Sequence, residues 1–424
     1  METKQQTDGR NGHAAHDNDH DHYETGLKAE RLTSKETIGI IIGTNIGAGV
    51  MSMAYAAKKS GYLPLAVCLV IACICCIITM LYVAETCLRT KGNLQLSGLS
   101  RRYLGGFGGA LIFIAVAANS FGALVAYMSG SGDIMTAFFG HLGMNREIGS
   151  LIFFINDEVV LYMGLKALGA GQHLVSNCML LLVTILVAAT FLHDNTQVME
   201  LWNSQWKYMV PVFNLAVFVF GAQFLVPELV RGNLNTPKRI PKLIIIGMVA
   251  SLIITAVIPA SVIALVGLDN VTQVATLSWG ASLGSWAYYT ANAFALMAML
   301  TSYWGLGGCL FTDIFDLFKL GDETQKLKRI IVLLIVSLPP FVIAYAGFGS
   351  FINALYFAGT AGGVLMGIVP ILLLKKSRQY GDQEPAFKCG WYAHPAIQSV
   401  IVLIFVSSGV YAVASLFGYL PTSW

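Results

Sequence analysis

Apolar runs of about 20 residues, broken by short polar punctuation, recur along almost the whole chain. Wound as a helix, such a run matches the thickness of a bilayer's hydrocarbon core. Eleven runs are expected as membrane spans, near 37–58, 62–88, 108–139, 148–167, 170–192, 208–230, 241–267, 281–316, 330–348, 350–374 and 395–418. The pattern predicts an all-α polytopic membrane protein. The region 281–316 is too long for one crossing, so its start is expected to be loop or an interfacial piece. Residues 1–36 are polar and hold no apolar h-region, so no cleavable signal peptide is expected.

Two of the runs are interrupted. The first carries Gly43-Thr44-Asn45-Ile46-Gly47-Ala48-Gly49 in its middle, three poor helix formers in seven residues. Loosened backbone at mid-membrane is tolerated only where it lines a cavity or meets a ligand, because lipid offers no hydrogen-bond partners. The sixth run carries Gly221 and, six residues on, Pro227, which lacks an N–H and disfavours helix in the residue before it. Either interruption alone reads equally as a packing face or a proline kink. Together they lie five spans apart, an odd number, so the two segments insert in opposite directions. Matching breaks in inverted halves point to the site of a secondary transporter. The expected organisation is a first repeat over 36–192 (spans 1–5), a second over 207–375 (spans 6–10) and an eleventh span over 394–418.

Charge fixes the expected orientation. Only 12% of residues are charged and the mean hydropathy is +0.66, against about 25% charged in a soluble domain. With the N-terminus inside, 22 of the 26 Lys and Arg fall on the inner side; Lys58, Lys59, Arg146 and Lys207 do not. That bias follows the positive-inside rule and places an N-terminus in the cytoplasm and a C-terminus outside. The tail 1–35 is expected to be disordered and cytoplasmic; its His13, His16, His20 and His22 alternate with Asp17, Asp19 and Asp21, a tract that binds metal weakly or is simply solvated. Cys73, Cys75 and Cys76 lie inside the second span with no histidine or carboxylate nearby, which favours packing over a metal site. No structural disulfide is expected.

Of the acids inside spans, three are singled out. Glu85 is four residues before Arg89 and is expected to pair with it. Asp157 and Glu158 lie near the centre of the fourth span, where a charge costs about 2.5–3.5 kcal/mol on insertion scales. They point about 100° apart and are candidates for proton coupling; the alternative is a shifted span that leaves them near an outer loop.

The run Gly43–Gly49, followed by Met53, Ala56, Ala57 and Gly61, resembles the opening of the bacterial aromatic and hydroxy amino acid permeases, which include tyrosine, tryptophan, serine and threonine permeases. Phe220-Gly221, Pro227 and Leu229-Val230-Arg231 in the sixth span resemble the same group, as do Thr301-Ser302-Tyr303-Trp304-Gly305 and Tyr127-Met128-Ser129-Gly130. Tyr55 departs from the proline usual there, and Gln223 from the histidine some members show. The resemblance spans about residues 35–418. It implies the amino acid–polyamine–organocation superfamily and a leucine-transporter-like fold, a 5+5 inverted repeat plus an eleventh helix.

On that frame a zwitterion's carboxylate suits the N–H groups of Gly47, Ala48 and Gly49 at the start of a half-helix. Carbonyls near Thr44 and Phe220 suit its ammonium. Phe220, Ala222, Gln223 and Phe224 would line the side-chain pocket, with Asn45 or Gln223 reaching a phenol or indole. Tyr127 would touch the carboxylate, as a third-span tyrosine does in similar folds, or is an ordinary packed aromatic. The resemblance sets Thr301 and Ser302 against the carbonyls of Gly43 and Ile46, an oxygen cage for Na⁺; the alternative is two hydroxyls bonded back to their own helix.

The expected function is therefore a symporter in the inner (plasma) membrane. It imports a neutral, aromatic amino acid with H⁺ or Na⁺, the bilayer being its other partner. A serine or threonine permease, and a membrane sensor that binds without transporting, are the alternatives. A channel is disfavoured because no filter repeat is present. No cofactor, nucleic-acid partner or enzyme chemistry is indicated.

Overall fold

The computed structural model describes Leu27 and residues 31–347 and 351–422. The His/Asp tract lies outside the described residues. The chain is a succession of helices: α1 (Ser34–Asn45), α2 (Ala48–Ala56), α3 (Tyr62–Arg89), α4 (Leu96–Phe139), α5 (Arg146–Met163), α6 (Leu165–Phe191), α7 (Met209–Phe220), α8 (Val226–Gly232), α9 (Ile240–Val266), α10 (Ala275–Leu283), α11 (Ser285–Leu317), α12 (Lys326–Tyr345), α13 (Phe351–Tyr380) and α14 (Pro395–Leu416). Among the described residues, nine segments are long and apolar enough to cross a membrane, α7 and α8 counting together as one over Trp206–Gly232, and α1 with α2 makes a tenth as a pair bent by 41°. Helix α5 adds a further crossing candidate: its 18 residues span about 27 Å. It fails a purely apolar criterion because Arg146, Glu147, Asp157 and Glu158 lie on it.

Two central helices, α4 and α3, organise the packing, and α13 lies against both. Helix α4 lies against α13, α11, α5 and α12, while α3 lies against α7, α9 and α13. Helix α1 packs on α6, α11 and α9. Its start is well defined. Thr33 Oγ1 accepts from the Glu36 N–H and Glu36 Oε2 accepts from the Thr33 N–H, a capping box. The Lys166 ammonium donates to both Glu36 oxygens and ties α1 to the head of α6.

The end of the bundle that carries most of the basic residues is laced by buried ion pairs. Glu85 accepts from Arg89, as the four-residue spacing predicts, but also from Arg378 of α13 and from the Cys389 N–H. Arg231 of α8 donates to Glu228 on its own helix and to Glu323 in the loop before α12. Two expectations change here. Helix α11 is continuous from Ser285, and the separate piece expected at the start of that region is α10, which precedes it. Pro227 does not cause the break in the sixth span. It sits in the first turn of α8, where a missing N–H is harmless.

Candidate functional site

The two interruptions meet at the centre of the bundle. Helix α1 stops at Ile46 (φ −91°, ψ 81°), and α2 restarts after Gly47 (φ −131°, ψ −149°) with no side chain capping it. Its leading N–H groups are thus open to a ligand. Gly47 is required by a close approach: a Cβ there would lie 2.6 Å from Ser302 Cβ, closer still to Ser302 Oγ, and 3.2 Å from Tyr127 Oη. In the sixth span the break is at Gly221 (φ −74°, ψ 57°), where the Ala222 N–H donates to the Phe220 carbonyl at 2.8 Å. This is an inverse γ-turn. A 3-10 turn over Gln223–Leu225 then leads into α8.

Between the breaks lies a small cavity of about 10 Å³, walled by Thr44, Asn45 and Gly49 on one side and Phe218, Val219, Gly221, Ala222 and Phe224 on the other. Asn119 and Tyr127 of α4 and Leu306 of α11 close it. That volume is near the threshold for one water molecule, so an amino acid enters only if side chains or half-helices shift. The Thr44 hydroxyl is buried without a hydrogen-bond partner. Gly305 makes room for it: a Cβ on Gly305 would lie 2.9 Å from Thr44 Cβ and nearer its hydroxyl. Tyr127 is buried, its hydroxyl beside Ser302 and Gly47.

Most of the residues expected to surround a zwitterion do meet here: Thr44, Asn45, Gly49, Tyr127, Ala222 and Phe224 line the cavity, and Gly47 abuts Tyr127. Ala48 contributes its backbone as the first residue of α2; its side chain lies outside the described set. Two residues expected in the pocket do not line it. Gln223 turns to α3, where its amide donates to Thr79 Oγ1 at 2.9 Å, because the 3-10 turn rotates it away from α1. Phe220 is fully buried and its carbonyl is already engaged by the γ-turn. Asn119, Phe218, Val219 and Leu306 were not anticipated. An asparagine midway along a membrane-length run is the one of these that carried a signal in the sequence.

The hydroxyl pair of α11 divides its roles. Ser302 Oγ donates to the carbonyls of Gly43 and Thr44 at 2.8 and 2.9 Å, capping the end of α1. Thr301 Oγ1 donates back to Met297 and Ala298 within α11. The expected cage is thus corrected on two points: the second carbonyl belongs to Thr44 rather than Ile46, and Thr301 is bonded to its own helix.

The acid pair sits deep. Asp157 lies about 16 Å along α5 from Arg146, fully buried, with neither carboxyl oxygen hydrogen-bonded. The Trp304 indole faces it, its N–H also without a hydrogen-bond partner. Glu158 is half-buried and accepts from Tyr303 Oη at 3.4 Å, with Ser337 of α12 beside it. The pair is therefore not near an outer loop.

A second, larger cavity of about 290 Å³ opens at the basic end. Ile40, Leu161, Leu225, Glu228, Arg231 and Gly305 line it, and Gly305 also touches Thr44, which lines the central cavity. Arg329 of α12 donates to the carbonyls of Leu161 and Tyr162 and anchors the end of α5 in its wall.

Residues 34–412, nearly the whole helical region, match the family model described as tryptophan/tyrosine permease family. The chain belongs to that family. The permease is 24% identical over 405 residues to the tryptophan-specific transport protein of Pseudomonas aeruginosa (strain UCBPP-PA14), covering 90% of this chain and 94% of the relative. It is also 24% identical to the tyrosine-specific transport system 1 of Haemophilus influenzae (strain ATCC 51907 / DSM 11121 / KW20 / Rd), covering 91% and 98%. These relatives are transport proteins, not enzymes. Among solved structures, a nucleobase-cation-symport-1 family transporter, in a closed conformation with bromovinylhydantoin bound, superposes with TM-score 0.65 at 13% identity, covering 96% of this chain and 98% of that one. The permease is thus a multi-pass membrane protein with a leucine-transporter-like fold.

Proposed function

We propose that this permease is a secondary active transporter that imports a neutral aromatic amino acid, of the tryptophan or tyrosine type, across the inner membrane in symport with H⁺ or Na⁺. The relatives' names favour that substrate class. So do Phe218 and Phe224 in the wall of the central cavity, since stacked or edge-on aromatic pairs add about 0.5–1.5 kcal/mol beyond burial. The observation that carries the reading is the uncapped start of α2 facing the Gly221 turn across one cavity.

The carboxylate binds the N–H groups of Gly47, Ala48 and Gly49, with the Tyr127 hydroxyl as a further donor. The ammonium donates to the free lone pairs of the Thr44 and Phe220 carbonyls and to the Thr44 hydroxyl. The positive-inside bias sets the N-terminus and the basic-end cavity in the cytoplasm and the C-terminus outside. On this reading the basic-end cavity opens to the inside while the central site is closed, and alternation moves the α1/α2 and α7/α8 segments against α4–α6 and α11–α13. On the ion, Ser302 with Gly43 and Thr44 is the remaining oxygen cluster for Na⁺, but its hydroxyl proton is directed at both carbonyls. The buried acids of α5 favour H⁺.

Uptake of labelled tryptophan, tyrosine and serine into proteoliposomes, under separate Na⁺ and pH gradients, tests the proposal. Saturable counterflow of the aromatic substrates is expected. Binding without counterflow would identify a sensor, and a preference for serine would reassign the substrate.

A further inference from the structure

Helix α11 joins the two unusual places in this molecule. Ser302 and Gly305, three residues apart on one face, touch the end of α1. Tyr303 and Trp304, between them, face the acids of α5. Asp157 is the fully enclosed member of that pair. An unpaired carboxylate in such surroundings is very costly, whereas the neutral acid is tolerated. Yet the site is not inert toward a carboxylate: the Trp304 indole N–H faces it and has no hydrogen-bond partner. Of titratable groups, Glu158 on its own helix and Tyr303 on α11 face it. Helices α4, α6 and α12, which also pack on α5, bring it no further charged group among the described residues.

The way out is short. Leu161 is one turn beyond Asp157 on the same face of α5, and its side chain both lines the basic-end cavity and packs on Gly307 and Gly308 of α11. Leu161 thus stands one helical turn from the acid and in the wall of a cavity open at the basic end.

Building on the symport reading, we infer that Asp157 is the group that carries the co-transported proton and that it exchanges this proton with the basic-end cavity past Leu161. On release the O–H bond breaks, the proton passes to water in the cavity, and the carboxylate left behind accepts a hydrogen bond from the Trp304 indole. Reprotonation reverses the step. Because Trp304 adjoins Gly305, which packs on Thr44, the state of the acid reaches the end of α1 through adjacent residues.

The test uses the full-length protein in proteoliposomes. With one proton per substrate, each unit of pH gradient gives roughly tenfold accumulation in the wild type. Asp157→Asn is expected to remove that accumulation, and with it the proton uptake or release that accompanies substrate binding, while labelled tryptophan still exchanges in counterflow. Asp157→Glu is expected to restore part of both. Should Asp157→Asn fail to insert, treatment of the wild type with dicyclohexylcarbodiimide, which attacks protonated carboxyls in apolar surroundings, followed by peptide mass mapping serves instead. Modification at Asp157 that tracks loss of accumulation is expected. Accumulation intact in Asp157→Asn, loss of accumulation with Asp157 unmodified, or a wild type driven by Na⁺ alone would overturn the inference and leave the transporter reading standing. A wild type with no counterflow would remove that reading as well.

Discussion

Replacing Gly47 by alanine probes the tightest junction in the molecule. The added methyl would lie 2.6 Å from Ser302 Cβ and closer to its hydroxyl, well inside van der Waals contact. Either α11 backs away or Ser302 rotates and gives up its bonds to the Gly43 and Thr44 carbonyls. One bifurcated hydrogen bond lost at about 0.5–1.5 kcal/mol, with overpacking of about 1–3 kcal/mol, sums to roughly 1.5–4.5 kcal/mol. Even the lower figure corresponds to a loss of about tenfold in an equilibrium constant. Part of it falls on stability, so the assay must separate folding from binding. Counterflow of labelled tryptophan, normalised to monodisperse protein by size-exclusion chromatography, does so. A well-inserted variant with counterflow reduced about tenfold or more is expected. Wild-type counterflow at wild-type affinity would show that the Gly47–Ser302 contact has no part in the site.

Phe224→Ala removes an aromatic wall and should weaken tryptophan binding by about 2- to 13-fold, the equivalent of one aromatic pair, with serine affected less; a competition series reads this directly. Gln223→Leu should leave substrate preference unchanged, because the side chain serves Thr79 on α3, and should cost about 1 kcal/mol of stability, read as a shift in thermal unfolding. Arg231→Met leaves Glu228 and Glu323 buried beside an apolar side chain; loss of one partner of a buried pair costs about 3–5 kcal/mol, so the detergent-solubilised variant should unfold well below the wild type.

The two breaks were legible because glycines are strong local signals, and because their spacing is readable without tertiary information; Pro227 marked the right span but sits in the helix after the break. The ion pair of Glu85 with Arg89 was legible for the same reason: four residues on a helix settle it. Its second partner, Arg378, was not, since that contact is made by the packing of α13 on α3. The direction of Gln223 was hidden because it depends on a three-residue 3-10 turn that shifts the helical phase. The limits of its run left the depth of Asp157 open between the span centre and a shifted span near an outer loop. Its enclosure was not legible, because which face of α5 meets α11 is decided by the glycines at 307 and 308, on which Leu161 packs.

The most direct test of the account is a structure with tryptophan bound. The ligand's carboxylate is expected within hydrogen-bonding distance of the Gly47, Ala48 and Gly49 N–H groups, its ring between Phe218 and Phe224, and both half-helix pairs still interrupted. Tryptophan seated elsewhere, or α1 and α2 wound into one unbroken helix around it, would contradict the account.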